Sequence, residues 1–254
     1  MLVIVSPAKS LDFETPSITQ EYSVPDFLDR SEKLVNGLKK LTKEKLGELM
    51  RISPALADLN HHRYQSWNKE FTTQNAKQAL LAFTGEVYNG IDAQTFNLED
   101  FQYAQNHLRI LSGLYGVLKP LDLMKAYRLE MGTKYGINQA KNLYQFWGDE
   151  ITNAINDAIK AQEDDILINL ASNEYYKSVK PKMIAGKIIT PTFKDFKNGE
   201  YKVVMTWAKK MRGVMTNYII KQQISDYEQL KGFNANGYAF DESLSNEDNW
   251  VFVR

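Results

Sequence analysis

Four polar residues that follow predicted strands are candidates for chemistry: Lys9, Asn173, Glu174 and Tyr175. The strands are predicted at 2–5 and 165–170, and open sheets commonly bind ligands where their strands end. A lysine at such a place is a point charge for a phosphate or, when it is desolvated, a nucleophile. One interpretation is therefore an enzyme that acts on a nucleobase, a nucleotide or damaged DNA. The alternative is structural, with Ser172 as an N-cap and the tyrosine packed beneath it.

A second group of candidates is a set of cations in the last third of the chain. Residues 177–221 contain eleven basic and two acidic residues, and the rest of the chain contains 20 basic and 29 acidic residues. This uneven charge favours an anionic partner. Two clusters are predicted to line one cleft and contact the phosphates of DNA: Lys177, Lys180 and Lys182, and Lys209, Lys210 and Arg212. For isolated lysines the better interpretation is a solvated strand edge; these are Lys187, Lys194 and Lys202.

The segment 111–120 resembles a helix-hairpin-helix turn. In such a turn, glycines such as Gly113 and Gly116 let the backbone approach a phosphate, and the start of the next helix donates N–H groups to it. Lys119 would add one phosphate contact. The spacing differs from the usual pattern, because two residues separate the glycines and Pro120 falls inside the second helix. The alternative is a glycine C-cap at Gly113 followed by a tight connection.

Composition excludes several classes of site. The chain has no cysteine and three histidines, which excludes disulfides, thiolate zinc sites and iron–sulfur clusters and argues against histidine-rich metal binding. We therefore predict no metal site and no cofactor. The apolar runs are shorter than the roughly 20 residues of a bilayer span, and the amino terminus lacks the pattern of a secretion signal. We expect a cytoplasmic protein with no membrane contact and no stable protein partner.

The elements that position these residues follow from the hydrophobic pattern. Further strands are predicted at 187–193 and 201–206, and helices are predicted after Pro25, at 42–50, from Ser53 and from Asn97. Helices before and after a set of strands indicate an α+β or mixed α/β fold with central strands flanked by helices. The sequence contains no repeat, linker or low-complexity tract, so 1–254 is predicted to be one domain.

Six ordered segments resemble the YaaA family of peroxide stress resistance proteins: SPAKSLD at 6–12, LSGLYG at 111–116, YRLEMG at 127–132, LYQFWG at 143–148, NLAS at 169–172 and KSVKPK at 177–182. The resemblance covers essentially the whole chain. It implies a cytoplasmic bacterial protein, induced by hydrogen peroxide, that limits damage from unincorporated iron. It also implies a mixed α/β fold of unusual topology and an ability to bind DNA.

The implied connection to iron is predicted to be indirect. A chelator or an iron store should contain Glu-x-x-His carboxylate sites or dense His and Cys ligands, and the sequence has neither. The leading prediction is DNA binding with little sequence specificity through the basic cleft. The enzyme described above is the alternative.

Overall fold

The computed structural model describes residues 1–162 and 165–254. Its strands are β1 (Leu2–Val5), β2 (Ser10–Leu11), β3 (Lys77–Gln78), β4 (Phe83–Thr84), β5 (Leu108–Ser112), β6 (Gly116–Leu118), β7 (Leu123–Met124), β8 (Ile166–Leu170), β9 (Lys187–Lys197), β10 (Glu200–Lys202), β11 (Ala239–Asp241) and β12 (Asn249–Val253). Its α-helices are α1 (Leu28–Leu38), α2 (Lys43–Met50), α3 (Pro54–Ser66), α4 (Ala79–Ala82), α5 (Glu86–Ile91), α6 (Leu98–His107), α7 (Leu143–Trp147), α8 (Glu150–Lys160), α9 (Asn173–Tyr176) and α10 (Met205–Lys221). Short 3-10 helices cover Ala93–Thr95, Pro181–Met183 and Tyr227–Gly232.

The main sheet has the strand order β11-β12-β9-β8-β1-β5-β6, with β10 paired to β9. The five strands from β12 to β5 are parallel to their neighbours, and β6, β10 and β11 are antiparallel additions. Helices pack on this sheet, among them α6 against β1 and α10 against β9. The predicted mixed α/β fold, with central strands flanked by helices, is confirmed.

Strands β1 and β8 form the centre of the core. Every residue of both strands is buried, which is the pattern of parallel strands covered on both faces. They pair in parallel with Val5 opposite Leu170, so their carboxyl ends lie side by side. Within the sheet, β1 lies between β5, which comes next along the chain in this sheet, and β8, which comes later. The strand order therefore reverses between β1 and β8.

Several predicted helices are confirmed. Helices α1 and α2 form after Pro25 and within 42–50, and α3 begins behind Ser53, whose hydroxyl accepts a hydrogen bond from the Leu56 N–H at 3.4 Å. Helix α6 begins behind Asn97, which forms a capping box with Asp100. A capping side chain precedes α2, α3 and α6, whereas α1 has none and is predicted by its apolar helical pattern alone.

The prediction of a helix-hairpin-helix element near 100–125 is wrong. Helix α6 ends at His107, and the following residues form the β-hairpin β5–β6. The apolar residues at 101, 104, 108 and 111 have helical spacing, but Leu108, Ile110 and Leu111 also suit a short buried strand. Parallel pairing of β5 with the buried strand β1 decides between the two.

The predicted strand at 201–206 is only partly correct. Strand β10 ends at Lys202, and helix α10 begins at Met205. The valines at 203 and 204 favour a strand, but buried residues at 208, 211, 215 and 219 recur at helical spacing. The cations at 209, 210 and 212 therefore lie on a helix and not on a loop after a strand.

Helix α10 lies unusually close to α5. A Cβ atom added to Gly213 would stand 1.9 Å from the carbonyl oxygen of Val87, and one added to Gly90 would stand 2.4 Å from the carbonyl oxygen of Lys210. Only glycine at both positions permits this approach of the two backbones. Among the described residues, no helix is long and apolar enough to cross a membrane.

Candidate functional site

The carboxyl ends of β1 and β8 are joined by two serines. The Ser172 N–H donates to Ser6 Oγ at 2.8 Å, and the Ser6 hydroxyl donates to Ser172 Oγ at 3.1 Å. The Tyr88 hydroxyl donates to the Ser6 carbonyl at 3.0 Å. These bonds hold the two strand ends together where the strand order reverses, and open α/β sheets bind their ligands at such a switch point.

A cavity of about 300 Å³ opens at this place and is called the switch-point pocket below. It is lined by Ser6, Pro7, Ala8, Lys9, Ser10, Thr84, Gly85, Glu86, Val87, Tyr88, Leu170, Ser172, Glu174, Tyr175, Lys209 and Arg212. The lining comes from both strand ends, from the start of α5 and from the first half of α10. Its volume is at the lower end of the range of small-ligand sites.

Arg212 is the most informative residue of the pocket. Its side chain is half-buried, and this burial lowers the pKa of its guanidinium. Within residues 1–162 and 165–254, the guanidinium has neither an ion-pair partner nor a hydrogen-bond acceptor. An arginine stays charged in proteins, and a desolvated charge without a partner is costly. The arrangement is therefore that of a cation that lacks its anion.

The other charged groups of the pocket differ in how they are paired. Lys9 forms an ion pair with Glu130 at 2.7 Å between Nζ and Oε2, and the Gly132 N–H donates to Glu174 Oε1 at 2.9 Å. A second cavity, of about 460 Å³, shares Glu174 with the switch-point pocket. Lys209 on α10 is exposed and has no ion pair with any described residue, and the same holds for the carboxylate of Glu86. The unpaired cations are thus concentrated on α10.

The tyrosines of the pocket are neutral groups. Burial raises the pKa of both Tyr88 and Tyr175 well above that of a free tyrosine. Both hydroxyls remain protonated at neutral pH and are therefore hydrogen-bond donors and not anions. Their rings close the pocket against the core.

The pocket brings together five of the residues predicted from the sequence: Lys9, Glu174, Tyr175, Lys209 and Arg212. Asn173 and Lys210 are neighbours of lining residues but do not line it themselves. Ser6 and Ser172, which join the strand ends, were not singled out as ligands. A polar residue directly after an apolar strand can indicate such a site. That Ser6 and Ser172 bond to each other, however, depends on the order of the strands in the sheet.

The first basic cluster lies apart from the pocket lining. Lys177 lies over the ring of Tyr144 at 5.2 Å, Lys180 forms an ion pair with Asp149, and Lys182 lies in the 3-10 helix Pro181–Met183. None of these three lysines lines the switch-point pocket. The pocket therefore does not contain the two predicted basic clusters together.

The glycine turn faces the core. Gly113 and Gly116 are buried, and the Trp147 indole N–H donates to the Gly113 carbonyl at 3.0 Å. A Cβ at Gly116 would meet the same indole ring at 2.8 Å. Lys119 forms an ion pair with Asp26 at 2.9 Å. Gly116 is thus needed for packing against the tryptophan, and Gly113 for the close approach of the Leu129 carbonyl, 2.2 Å from an added Cβ. The backbone of both glycines is buried and not exposed to a phosphate.

Among residues 1–162 and 165–254, no three or more His, Cys, Asp or Glu side chains are grouped so that they could hold a metal ion.

Fold and pocket together define a mixed α/β protein with a pocket lined by both cations and carboxylates at the switch point of its sheet. The family model described as peroxide stress protein YaaA matches residues 1–244. The chain belongs to this family. A UPF0246 protein of Colwellia psychrerythraea is 52% identical over 254 residues, which is 100% of this chain and 99% of the relative. A UPF0246 protein of Ralstonia pickettii is 51% identical over the same shares of the two chains.

Proposed function

We propose that this member of the peroxide stress family binds DNA through the cations of helix α10 at the mouth of the switch-point pocket. The observation that carries the proposal is Arg212, a half-buried guanidinium that has no counter-ion among the described residues and lines the same pocket as the exposed Lys209. The phosphates of DNA supply an anion of the required charge. Arginine also suits phosphate because its planar fork can donate two parallel hydrogen bonds.

The pairing of the basic segment supports the same proposal. Of its eleven cations, three form ion pairs with described residues: Lys180, Lys202 and Lys221. The other eight have no ion pair within the described parts of the chain: Lys177, Lys182, Lys187, Lys194, Lys197, Lys209, Lys210 and Arg212. Three of these eight, Lys209, Lys210 and Arg212, lie together on α10, and cations of this kind can release counter-ions from DNA without first breaking an ion pair. Contacts of this kind carry no sequence information, so binding is proposed to be sequence-tolerant.

The link to peroxide stress is proposed to be indirect. Ferrous iron bound at DNA phosphates generates hydroxyl radicals where it sits, and a protein that occupies those phosphates keeps iron away from the strand. This protection needs no iron site in the protein. It requires that the protein and the chromosome share a compartment, as the predicted cytoplasmic location allows.

The test compares two charge-matched triple variants. Each removes three positive charges: Lys209→Ala, Lys210→Ala and Arg212→Ala from α10, or Lys187→Ala, Lys194→Ala and Lys197→Ala from β9 as the control. Affinity for two unrelated duplexes is measured by fluorescence anisotropy at several salt concentrations. With six phosphate contacts, log K falls with log salt at a slope of about −5 in the wild type, or about −0.9 per contact.

The α10 variant should lose about three contacts, so its slope should fall to about −3 and both duplexes should be weakened alike. The β9 control should change the slope by less than one unit. Wild-type binding that does not depend on salt, or equal losses in the two variants, would contradict the proposal. A loss confined to one duplex would indicate base recognition.

A second candidate function is favoured by the contents of the pocket. Lys9, Glu174 and Tyr175 line the same cavity as Arg212, as an enzyme acting on a nucleotide or damaged DNA would require. Chromatography of nucleotides and damaged oligonucleotides after incubation with the protein tests this candidate. Product that is lost in Lys9→Ala, with binding retained, would support it, and absence of any product would leave binding as the function.

A further inference from the structure

We infer that the switch-point pocket binds a terminal phosphate monoester, carried by the end of a DNA strand or by a free nucleotide. This inference rests on the proposed function, because it assigns to Arg212 one particular phosphate among those that α10 contacts. The cations of α10 alone would bind every phosphate of DNA equally. A monoester site in the pocket adds a preference for the ends of strands.

The size of the pocket is the first argument. A cavity of about 300 Å³ cannot admit a duplex, whose major groove alone is about 12 Å wide. An internal phosphate is attached to a sugar on both sides, so it remains with the duplex at the mouth. A terminal monoester has only one attachment, and it can enter while the rest of the strand leaves through the opening.

The charge of the pocket is the second argument. A phosphate monoester carries a charge of about −1.5 to −2 at pH 7, because its second pKa is about 6, whereas an internal diester carries a single charge. The wall formed by α10 offers Arg212 and Lys209, both without ion pairs among the described residues. On this wall the two cations match a dianion better than a single negative charge, while the carboxylates of Glu86 and Glu174 line other parts of the same pocket.

An unused hydrogen-bond donor is the third argument. The hydroxyl of Ser172 accepts a hydrogen bond from Ser6, but its own hydrogen has no acceptor among the described residues. Ser172 is half-buried and lines the pocket together with Arg212. A phosphate oxygen accepts strongly from such a hydroxyl. The donor comes from the residue that precedes α9 and the guanidinium from α10, and both line one cavity.

The test uses one DNA sequence in three forms: a duplex with terminal phosphates, the same duplex with hydroxyl ends, and a closed dumbbell without ends. The phosphorylated duplex should bind the wild type about tenfold more tightly than the other two, since a hydrogen bond to a charged group is worth roughly that factor. Arg212→Met should abolish the preference. Ser172→Ala, which keeps both cations, should reduce it several-fold.

Competition separates the two sources of the monoester. A nucleoside monophosphate that displaces the phosphorylated duplex with an affinity equal to that of the duplex end assigns the pocket to free nucleotides. A mononucleotide that competes at least tenfold less well assigns it to strand ends. Both results support a monoester site, and equal affinity of the wild type for all three DNA forms would overturn it.

The same measurements distinguish this inference from the proposed function. If the protein binds the dumbbell and both duplexes equally, DNA binding stands and the end preference is refuted. If no DNA form binds but a nucleoside monophosphate does, with a dependence on Arg212, the monoester site stands and the proposed function fails. Thermal melting first shows whether each variant is folded, and binding affinities are compared only among folded proteins.

Discussion

Arg212 is the residue on which the account of the site depends. Its guanidinium is desolvated by the fold and finds no acceptor among residues 1–162 and 165–254. A cation in this state opposes folding, because burial removes part of the water around the charge and no described side chain or carbonyl replaces it. A residue that is unfavourable for stability and lines a pocket is typical of a binding site.

This interpretation predicts that Arg212→Met does not destabilise the protein. Methionine keeps the apolar stem and removes the unpaired charge, so the free energy of unfolding should stay constant or rise by about 1 kcal/mol, a gain of about 2–4 °C in melting temperature. The matched control is Arg30→Met. Arg30 is also half-buried, but it forms an ion pair with Glu150 at 3.0 Å and lies 4.0 Å over the ring of Phe146.

The control variant should melt at a lower temperature than the wild type. Scanning calorimetry of the three proteins measures both changes. A loss of stability in Arg212→Met as large as that in Arg30→Met would show that Arg212 is a structural residue. The missing counter-ion of Arg212 among the described residues would then no longer support a binding site in the pocket.

At the scale of single residues, the sequence predicts only part of the candidate site. Lys9, Glu174 and Arg212 could be selected beforehand, because charged side chains after a strand or within a basic run are unusual enough to notice. Ser6 and Ser172 could not, because a serine after a strand is ordinary. Their role comes from the parallel pairing of β1 with β8, which joins residues 166 positions apart. No local pattern encodes that contact.

At the scale of elements, the crossing of α5 and α10 positions the pocket. Helix α5 contributes one wall and α10 the opposite cations, and Gly90 and Gly213 let the two backbones touch. Gly213 directly follows Arg212. Any separation of the two helices at this point must therefore move the guanidinium relative to the strand ends.

Gly213→Ala tests this arrangement. The new methyl group would stand 1.9 Å from the carbonyl oxygen of Val87, so the helices must separate, at a cost of about 1–3 kcal/mol. The melting temperature should fall by several degrees, and DNA affinity should fall with it in a protein that is still folded at the assay temperature. The control is Gly232→Ala, where the nearest atom, Tyr218 Oη, lies 3.9 Å from the added Cβ.

The control should leave both the melting temperature and the affinity unchanged. Melting by circular dichroism and DNA titration at 15 °C measure the two quantities separately. If Gly213→Ala melts like the control, the close approach of the helices is not required for the fold. If it is destabilised but binds DNA like the wild type, the crossing does not position Arg212.

The success of prediction also differed among elements. Helices α2, α3 and α6 begin behind side-chain caps, and α1, which has no such cap, is predicted by helical periodicity alone. Residues 108–112 were misassigned because the apolar residues at 101, 104, 108 and 111 have helical spacing, and only pairing with β1 selects the strand. The start of α10 was misassigned because the valines at 203 and 204 resemble a strand end. In both cases tertiary contacts overrode a local preference.

At the scale of the whole molecule, charge is separated along the chain. The segment 177–221 carries a balance of +9 and the remainder a balance of −9. This separation was readable from the sequence, because it needs only a count. Which cations remain unpaired was not readable, since Lys180 and Lys221 find carboxylates on other elements, Asp149 and Asp100. The fold thus reduces the number of available cations, and three of those without ion pairs among the described residues lie together on α10.

The most direct test of the account is to locate bound DNA on the protein by nuclear magnetic resonance. A short duplex is titrated into nitrogen-15-labelled protein, and the backbone amide and arginine Nε–H resonances are followed. The account predicts the largest shifts at the Arg212 Nε–H and at the amides of Lys9, Ser172 and Lys209. Shifts centred on 113–119 or on 177–182, with an unchanged Arg212 side chain, would contradict it.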